Sequence, residues 1–213
     1  MADNYLEKKY EEYKSRKEGR TNHPYNGRKT TVIHKTRRVF VTGGAEGIGK
    51  AIVRAFRSAG HRVAFCDRNE AAGKETALQT GTSFFHVDVS DQEALENCMQ
   101  QIFKEWGDID IIINNAGISC FSPITETGVE DFDRILSVNL RPVFITSRRL
   151  AIHRQSQEAP NPFGRIVNIC STRYLMSEPG SEGYAASKGG IYSLTHALAP
   201  VSYTHLRAHE TRH

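Results

Sequence analysis

The chain has 213 residues, of which 38% are hydrophobic, and its 28 Lys and Arg against 24 Asp and Glu give a formal net charge of +4. This length suits one sizeable domain with an appendage, and because there is neither a run of 18 apolar residues nor a basic and then apolar N-terminus, the sequence predicts no membrane span and no secretory signal. Four cysteines without a CxxC pair are typical of free thiols in a reducing compartment, so we expect a soluble, cytoplasmic protein; they are Cys66, Cys98, Cys120 and Cys170.

The first 38 residues are polar and basic. They hold 11 Lys and Arg against 5 Asp and Glu, so the remaining chain is close to neutral. A weak helical spacing of tyrosine and leucine predicts a short amphipathic helix over residues 3–18, followed by a polar linker over 19–35. A basic arm can bind nucleic acid or an anionic surface. We prefer a solvated helix and linker, because no aromatic residues alternate with the basic ones, and nucleic acid is not an expected partner.

From Arg38 onward, short apolar segments alternate with amphipathic ones. The apolar segments are predicted to be strands, and they cover residues 39–41, 62–66, 83–87, 109–113 and 164–170. The segments with helical spacing cover residues 51–60, 70–79, 91–105, 129–152 and 183–199. Pro142 is expected to kink or restart the fourth of these helices. Apolar strands that alternate with helices indicate a parallel sheet covered on both faces, so we predict a doubly wound α/β fold of the Rossmann type.

A glycine-rich loop joins the first predicted strand to the first predicted helix. Its glycines follow the pattern G-x-x-x-G-x-G, in which one permits the sharp turn, one lets the backbone approach a pyrophosphate and one lets the helix pack on the strand. The N-terminus of the helix offers free N–H groups and the positive end of its dipole to the anion. The loop therefore predicts a dinucleotide site. The loop residues expected to contact the cofactor are Thr42, Gly43, Glu46, Gly47, Ile48 and Gly49.

Asp67 ends the second predicted strand, 18 residues after Gly49, and predicts which dinucleotide binds. A carboxylate there accepts hydrogen bonds from the adenosine ribose hydroxyls and repels a 2′-phosphate. Glu46 adds a second acid in the loop, whereas Arg68 favours the phosphate. On charge complementarity we expect NAD, with NADP less favoured. The alternative is that Asp67 caps a helix or a solvated turn.

Tyr184 and Lys188 are four residues apart and so share one face of the last predicted helix. An ammonium beside a phenol stabilises the phenolate and lowers its pKa, so the tyrosine can donate and accept a proton near neutral pH. Ser171, just past the fifth strand, can hydrogen-bond a substrate oxygen. The carboxyl ends of the strands form the ligand crevice of a doubly wound sheet, so these residues can meet the glycine loop. Each residue alone could instead be structural, as a helix tyrosine, a cap or a solvated charge.

Taken in chain order, these motifs resemble those of the short-chain dehydrogenase/reductase family, over residues from about Arg38 to about Ala199. The motifs that carry the resemblance are the loop 42–49, Asp88, Asn114-Asn115-Ala116-Gly117, Asn139, Ser171, Tyr184 and Lys188. The resemblance implies an NAD(P)-dependent oxidoreductase that transfers a hydride between nicotinamide and a secondary alcohol or ketone. It also implies a small-molecule substrate and a homo-dimer or homo-tetramer. A non-enzymatic dinucleotide-binding protein on the same fold is the alternative.

The resemblance also implies a role for each matching residue. Tyr184 is the implied general acid/base, and Lys188 binds the nicotinamide ribose. Ser171 steadies the substrate oxygen, and Asn139 holds a kinked helix and a proton-relay water. Tyr184 and Lys188 are therefore counted with both the catalytic and the cofactor-binding residues. The residues implied to lie along the adenosine half of the cofactor are Asp88, Val89, Asn115, Ala116 and Gly117.

Residues 200–213 do not continue the alternation of strands and helices. Three histidines spaced four apart suggest a metal site on a helix. We reject a metal site, because residues 201–211 are similar to the translation of an adapter used in preparing sequencing libraries. We therefore divide the chain into a basic extension (1–38), an incomplete dinucleotide-binding catalytic domain (39–199) and an artefactual tail. A chain truncated in this way is expected to lack strands and the substrate lid, and so to be unstable or inactive.

Overall fold

The computed structural model describes residues 35–158, 161 and 163–205, and beyond Ala199 only the backbone is described. The predictions made for residues 1–34 and for the tail after His205 lie outside the described residues. Five strands and six helices occur in the described part, in this order: β1 Arg38–Thr42, α1 Gly47–Ser58, β2 Arg62–Asp67, α2 Glu70–Thr80, β3 Ser83–His86, α3 Gln92–Trp106, β4 Ile111–Asn114, α4 Val129–Asn139, α5 Arg141–Gln155, β5 Arg165–Asn168 and α6 Glu182–His205.

The five strands form one parallel sheet in the order β3-β2-β1-β4-β5. In the register of the sheet, Val39 of β1 lies between Val63 of β2 and Ile111 of β4. The order of the strands reverses at β1, so a crevice opens between the carboxyl ends of β1 and β4. This arrangement confirms the predicted doubly wound α/β fold.

β1 is buried on both faces of the sheet. Val39, Phe40 and Val41 are all 0% exposed. Phe40 packs into a core cluster with residues of α3 and α5, whereas the two valines pack on the opposite face with Val53 of α1. Burial on both faces explains why the strand is apolar without alternation. The predicted inner face of α3 is also buried, and its residues are Leu95, Cys98, Met99, Ile102 and Phe103.

The helical segment predicted over residues 129–152, with a kink or restart at Pro142, is two helices in the structure, so the restart is confirmed. α4 ends at Asn139, Leu140 lies between the two helices, and Pro142 is in the first turn of α5. Proline is favoured there because its missing N–H would have no partner inside the helix. The last helix was predicted to end at residue 199 but extends through Pro200 to His205.

A network of charged side chains lies at the end of the sheet opposite to the glycine loop. The Asp110 carboxylate accepts hydrogen bonds from the backbone N–H of Arg38 at 2.8 Å and from its side-chain Nε at 2.9 Å. The side chain of Arg154, 1% exposed, pairs with Asp108 at 3.1 Å. Burial raises the pKa of Asp110, but the hydrogen bonds from Arg38 outweigh it and leave the pKa below its ordinary value. Asp110 is thus bound to Arg38 and precedes β4, which was predicted to begin at residue 109.

The structure also bears on the cysteines, on membrane-spanning helices and on metal clusters. All four cysteines are free thiols, as predicted. Among the described helices, none combines the length and the apolar character that crossing a membrane requires. No cluster of His, Cys, Asp or Glu in the described part of the chain is arranged to bind a metal ion.

Candidate active site

The glycine-rich loop packs directly against the segment that follows β4. Gly43 and Gly47 have φ angles of 67° and 52°, in the left-handed region that side chains with a Cβ rarely adopt. A Cβ on Gly43 would lie 2.8 Å from the Cα of Ala116, and one on Gly49 would lie 1.8 Å from the carbonyl oxygen of Gly43. Both contacts are with backbone atoms, which have little freedom to move. The loop is therefore a close-fitting backbone cradle in which glycine is required.

Two polar side chains fix the shape of this cradle. The hydroxyl of Thr42 accepts hydrogen bonds from the backbone N–H groups of Asn115 and Ala116, each at 3.1 Å. The Asn115 side-chain amide donates to the carbonyl oxygens of Gly43 at 2.9 Å and Thr42 at 3.2 Å. These predicted cofactor residues thus bind the carboxyl ends of β1 and β4 to each other.

The N-terminus of α1 lies immediately after the cradle. Glu46 occupies the position before the helix, but no side chain caps the helix. The first N–H groups of α1 and the positive end of its dipole can therefore bind an anion. Ile48 in the first turn is 67% exposed, which is unusual for a residue of its size and apolar character.

Asp67 lies at the carboxyl end of β2 and already accepts two hydrogen bonds. Its Oδ2 accepts from the backbone N–H of Ala45 at 3.0 Å, and its Oδ1 accepts from that of Asn69 at 3.0 Å. Asn69 caps α2, and its amide donates to the carboxylate of Glu46 at 3.1 Å. Asp67 therefore supports the glycine loop and the turn before α2, so part of the structural alternative is correct.

A cavity of about 130 Å³ lies beside Asp67 at the ends of the strands. Its lining includes six of the predicted cofactor residues, which are Gly43, Asp67, Asp88, Val89, Ala116 and Gly117. Burial raises the pKa of Asp88, but hydrogen bonds from the hydroxyl and backbone N–H of Ser90, together with the charge of Arg68, leave it below its ordinary value. The cavity thus has two carboxylates, with the cationic side chain of Arg68 beside them.

Tyr184 and Lys188 meet on the inner face of α6. The Lys188 ammonium lies 5.5 Å from the centroid of the Tyr184 ring and donates to the carbonyl oxygen of Ile169 at 2.7 Å. Lys188 is 4% exposed, and this burial lowers its pKa. Tyr184 is half-buried, and the ring of Phe121 lies 6.4 Å from it. A cation and a phenol are therefore held together at the carboxyl ends of the strands.

Asn139 connects three parts of the site. Its Oδ1 accepts from the backbone N–H of Ile118 at 2.8 Å, and its Nδ2 donates to the Ile118 carbonyl at 2.9 Å and to the Ser187 hydroxyl at 3.0 Å. Ser187 in turn donates to the backbone carbonyl of Tyr184 at 2.7 Å. Asn139, at the end of α4, thus fixes both the segment after β4 and the helix that carries Tyr184.

Ser171 lies at the end of the segment after β5. Its hydroxyl accepts from the backbone N–H of Arg173 at 3.2 Å and caps the 3₁₀ turn Thr172–Tyr174. Among the described residues, no hydrogen bond joins Ser171 to Tyr184. Sequence reasoning missed Ser187, although it lies three residues after Tyr184, at the spacing that places two side chains on one helix face.

A model of the short chain dehydrogenase family matches residues 37–207. An uncharacterized oxidoreductase of Thermotoga maritima is 36% identical over 173 residues, which cover 78% of this chain and 66% of that protein. Gluconate 5-dehydrogenase of Gluconobacter oxydans is 34% identical over 169 residues, which cover 76% of this chain and 64% of that protein. The chain thus spans slightly less than two thirds of the length of these two relatives.

Solved structures show the same likeness. An apo SCOR enzyme from Clostridium thermocellum is 38% identical, with a TM-score of 0.69 over 78% of this chain and 67% of that one. A short chain dehydrogenase from Mycobacterium smegmatis is 28% identical, with a TM-score of 0.75 over 80% and 71%. An NAD+-bound xylitol dehydrogenase is 26% identical, with a TM-score of 0.72 over 81% and 66%.

Proposed function

The chain belongs to the short-chain dehydrogenase family, and on that premise we propose that it is an NAD-dependent oxidoreductase that interconverts a secondary alcohol and a ketone. The observation that carries the proposal is the buried Lys188 ammonium 5.5 Å from the Tyr184 ring, on a helix that Asn139 holds through Ser187. When bound, the nicotinamide supplies the hydride acceptor or donor. The protein supplies binding, orientation and the proton.

The residues around the crevice fit a dinucleotide. The glycine loop is a cradle that any Cβ at Gly49 would fill, and the uncapped N-terminus of α1 follows it. In the proposal, the backbone of residues 42–49 binds the pyrophosphate, with Ile48 packing on the cofactor. Asp88, Val89 and the segment 115–117 bind the adenosine side in this proposal, which the cavity lined by Asp88, Val89, Ala116 and Gly117 supports. Lys188 binds the nicotinamide ribose.

We propose NAD as the preferred dinucleotide, on the charges around the cavity. Asp67 and Asp88 are acceptors there, and a 2′-phosphate next to two carboxylates is unfavourable. Glu46 adds a third acid nearby, hydrogen-bonded to Asn69. Arg68 lines the same cavity and is the residue that would favour NADP. The three acids outnumber it.

The proton moves at the phenolic oxygen of Tyr184 in this proposal. During alcohol oxidation Tyr184 accepts the hydroxyl proton of the substrate, and during reduction it returns one to the carbonyl oxygen. The Lys188 ammonium stabilises the negative charge that develops on Tyr184 when its proton leaves. Ser171 donates a hydrogen bond to the substrate oxygen. Asn139 is a positioning residue, because its hydrogen bonds go to Ile118 and Ser187.

The domain division and the assembly are also proposals. Residues 39–199 form the dinucleotide-binding catalytic domain, and residues 1–38 form a basic extension. The enzyme is a cytoplasmic homo-dimer or homo-tetramer, and light scattering of the purified protein tests its mass.

The test is a panel of secondary alcohols and ketones, assayed with NAD and with NADP, on the wild type and on Tyr184→Phe. We expect turnover with NAD, a loss of about 100-fold or more in kcat for the variant, and equal NAD affinity for both proteins. Normal turnover by Tyr184→Phe would refute the mechanism. NAD binding without turnover of any alcohol or ketone would favour the non-enzymatic alternative.

A further inference from the structure

Arg173 is a cation beside the proton-transfer residues that the proposed mechanism does not use. It lies in the 3₁₀ turn that follows Ser171, and its backbone N–H donates to the hydroxyl of Ser171 at 3.2 Å. A hydrogen bond to Glu178 raises the pKa of Arg173. Glu178 is in turn hydrogen-bonded to Ser181, which directly precedes the helix that carries Tyr184. The hydrogen bond to Ser171, which is proposed to contact the substrate oxygen, places Arg173 next to the reacting end of a substrate.

Most of the hydrogen-bonding capacity of Arg173 is unused within the described part of the chain. A guanidinium has five N–H donors, and the contact found for this one is an ion pair from Nη1 to Oε1 of Glu178. The Arg173 side chain is 27% exposed, whereas that of Glu178 is 66% exposed. A guanidinium with one exposed carboxylate as its partner has donors left for a second anion.

The ion pair is not needed to hold the loop in which it lies. The Ser181 hydroxyl donates to the carbonyl oxygen of Glu178 and accepts from its backbone N–H at 3.3 Å. The backbone N–H of Gly180 donates to the Glu182 carboxylate at 3.1 Å, and the Gly180 carbonyl accepts from the backbone N–H of Ser122 at 3.2 Å. These bonds close the loop independently of the Arg173 side chain, and a partly exposed ion pair adds little stability to them.

We propose that Arg173 binds an anionic oxygen group of the substrate, a carboxylate or a phosphate, close to the carbon that is oxidised or reduced. The substrate class is then a hydroxy acid with its oxo acid, or a phosphorylated alcohol with its ketone. A guanidinium fork matches the paired oxygens of both groups. Glu178 neutralises Arg173 until substrate binds and competes with it for the same cation. This inference rests on the proposed oxidoreductase activity.

The test compares each charged substrate with its uncharged analogue. Hydroxy acids with the hydroxyl at C2, C3 or C4 are paired with their amides, and glycerol 1-phosphate is paired with glycerol. The wild type should prefer one charged member by about 10-fold or more in kcat/KM, and Arg173→Gln should reduce that ratio by about 10- to 100-fold. Preference for the acids or for the phosphate identifies which anion binds.

Glu178→Gln is the matched variant, because it breaks the same ion pair but leaves the cation. The ratio of kcat/KM for the charged substrate to kcat/KM for its uncharged analogue should equal or exceed that of the wild type, since a competing carboxylate has been removed. Arg173→Lys keeps the charge without the fork, so its ratio should lie between those of the wild type and Arg173→Gln. The inference is overturned if Arg173→Gln keeps the wild-type ratio, or if Glu178→Gln lowers the ratio as much as Arg173→Gln, which is the result expected of a structural ion pair.

A binding measurement separates this inference from the proposed function. Isothermal titration of 3-hydroxybutyrate and of glycerol 1-phosphate into NAD-saturated protein needs no turnover, and Arg173→Gln should weaken binding of one of them by about 10-fold or more. Binding that depends on Arg173 without turnover of any substrate would contradict the oxidoreductase and support the anion site. If the protein turns over a substrate, and Arg173→Gln changes neither the rate nor the binding of the anionic substrates, the result would support the oxidoreductase and contradict the anion site.

Discussion

Replacing Gly49 with alanine places a methyl group inside the cradle of the glycine loop. The new Cβ would lie 1.8 Å from the Gly43 carbonyl oxygen and 2.6 Å from the Asn115 side-chain nitrogen, whereas real Cβ contacts are essentially never shorter than 3.0 Å. The Gly43 oxygen must therefore move by at least about 1.2 Å, the difference between 3.0 and 1.8 Å. That movement also disturbs the hydrogen bond from Asn115 to Gly43, which is 2.9 Å long.

The expected loss of stability follows from these contacts. Forcing an extra methyl group into a close-packed site costs about 1–3 kcal/mol, and disturbing one buried hydrogen bond adds about 1 kcal/mol. We therefore expect Gly49→Ala to lower the free energy of unfolding by about 2–4 kcal/mol. Because the strain is relieved in the backbone proposed to bind the pyrophosphate, the Kd for NAD should rise by about 10-fold or more.

Gly189→Ala is the matched control for this experiment. Gly189 lies within α6, and a Cβ built there meets nothing within 4 Å. Alanine should stabilise the helix by about 0.5–1 kcal/mol and leave the Kd for NAD unchanged. Urea unfolding and isothermal titration with NAD measure both quantities on each variant. Wild-type affinity for NAD in Gly49→Ala would refute the assignment of the loop to the pyrophosphate.

Three further substitutions test other parts of the account. Asn139→Ala leaves the half-buried N–H and C=O groups of Ile118 without their partner, so urea unfolding should show a loss of about 2–4 kcal/mol; a loss below about 1 kcal/mol would contradict the positioning role. The pKa of Asp110 lies below its ordinary value of 3.8, so its contribution to stability is complete above about pH 4 and disappears as the pH falls through the lowered value. The difference in unfolding free energy between the wild type and Asp110→Asn should therefore be constant from pH 7 to about pH 4 and shrink below it, and a difference that shrinks above pH 5 would be inconsistent with this. Asp67→Asn should lower the ratio of NAD to NADP affinity by about 10-fold in isothermal titration, and an unchanged ratio would mean that Asp67 acts on the turn alone.

The sheet could be predicted from the sequence because the residue pattern within each short segment identifies it as a strand. Strands buried on both faces must be apolar throughout, and Val39, Phe40 and Val41 of β1 show this directly. The glycine loop was predictable for the same reason, since Gly43 and Gly49 are required by backbone contacts within a short segment and its neighbour. Helix ends were less predictable: the restart at Pro142 was expected, but the last helix runs past residue 199 to His205.

The sequence predicts the residues of the candidate site but not the contacts between them. Asn139 hydrogen-bonds to Ile118 and Ser187, which are 21 and 48 residues away in the chain, so no local pattern reveals those partners. The support that Asp67 gives to the glycine loop is likewise a tertiary feature, since its hydrogen-bond donor Ala45 lies 22 residues away in the chain. Arg173 pairs with Glu178, and a basic residue in a loop gives no signal of its partner in the sequence.

Transfer of deuterium from the substrate tests the central claim most directly. A secondary alcohol that the protein turns over, deuterated at its carbinol carbon, is incubated with NAD, and the product dinucleotide is analysed by mass spectrometry. The account predicts reduced NAD carrying one deuterium with the wild type, and about 100-fold slower formation with Tyr184→Phe at equal NAD affinity. Reduced NAD without deuterium, or equal rates for the two proteins, would contradict it.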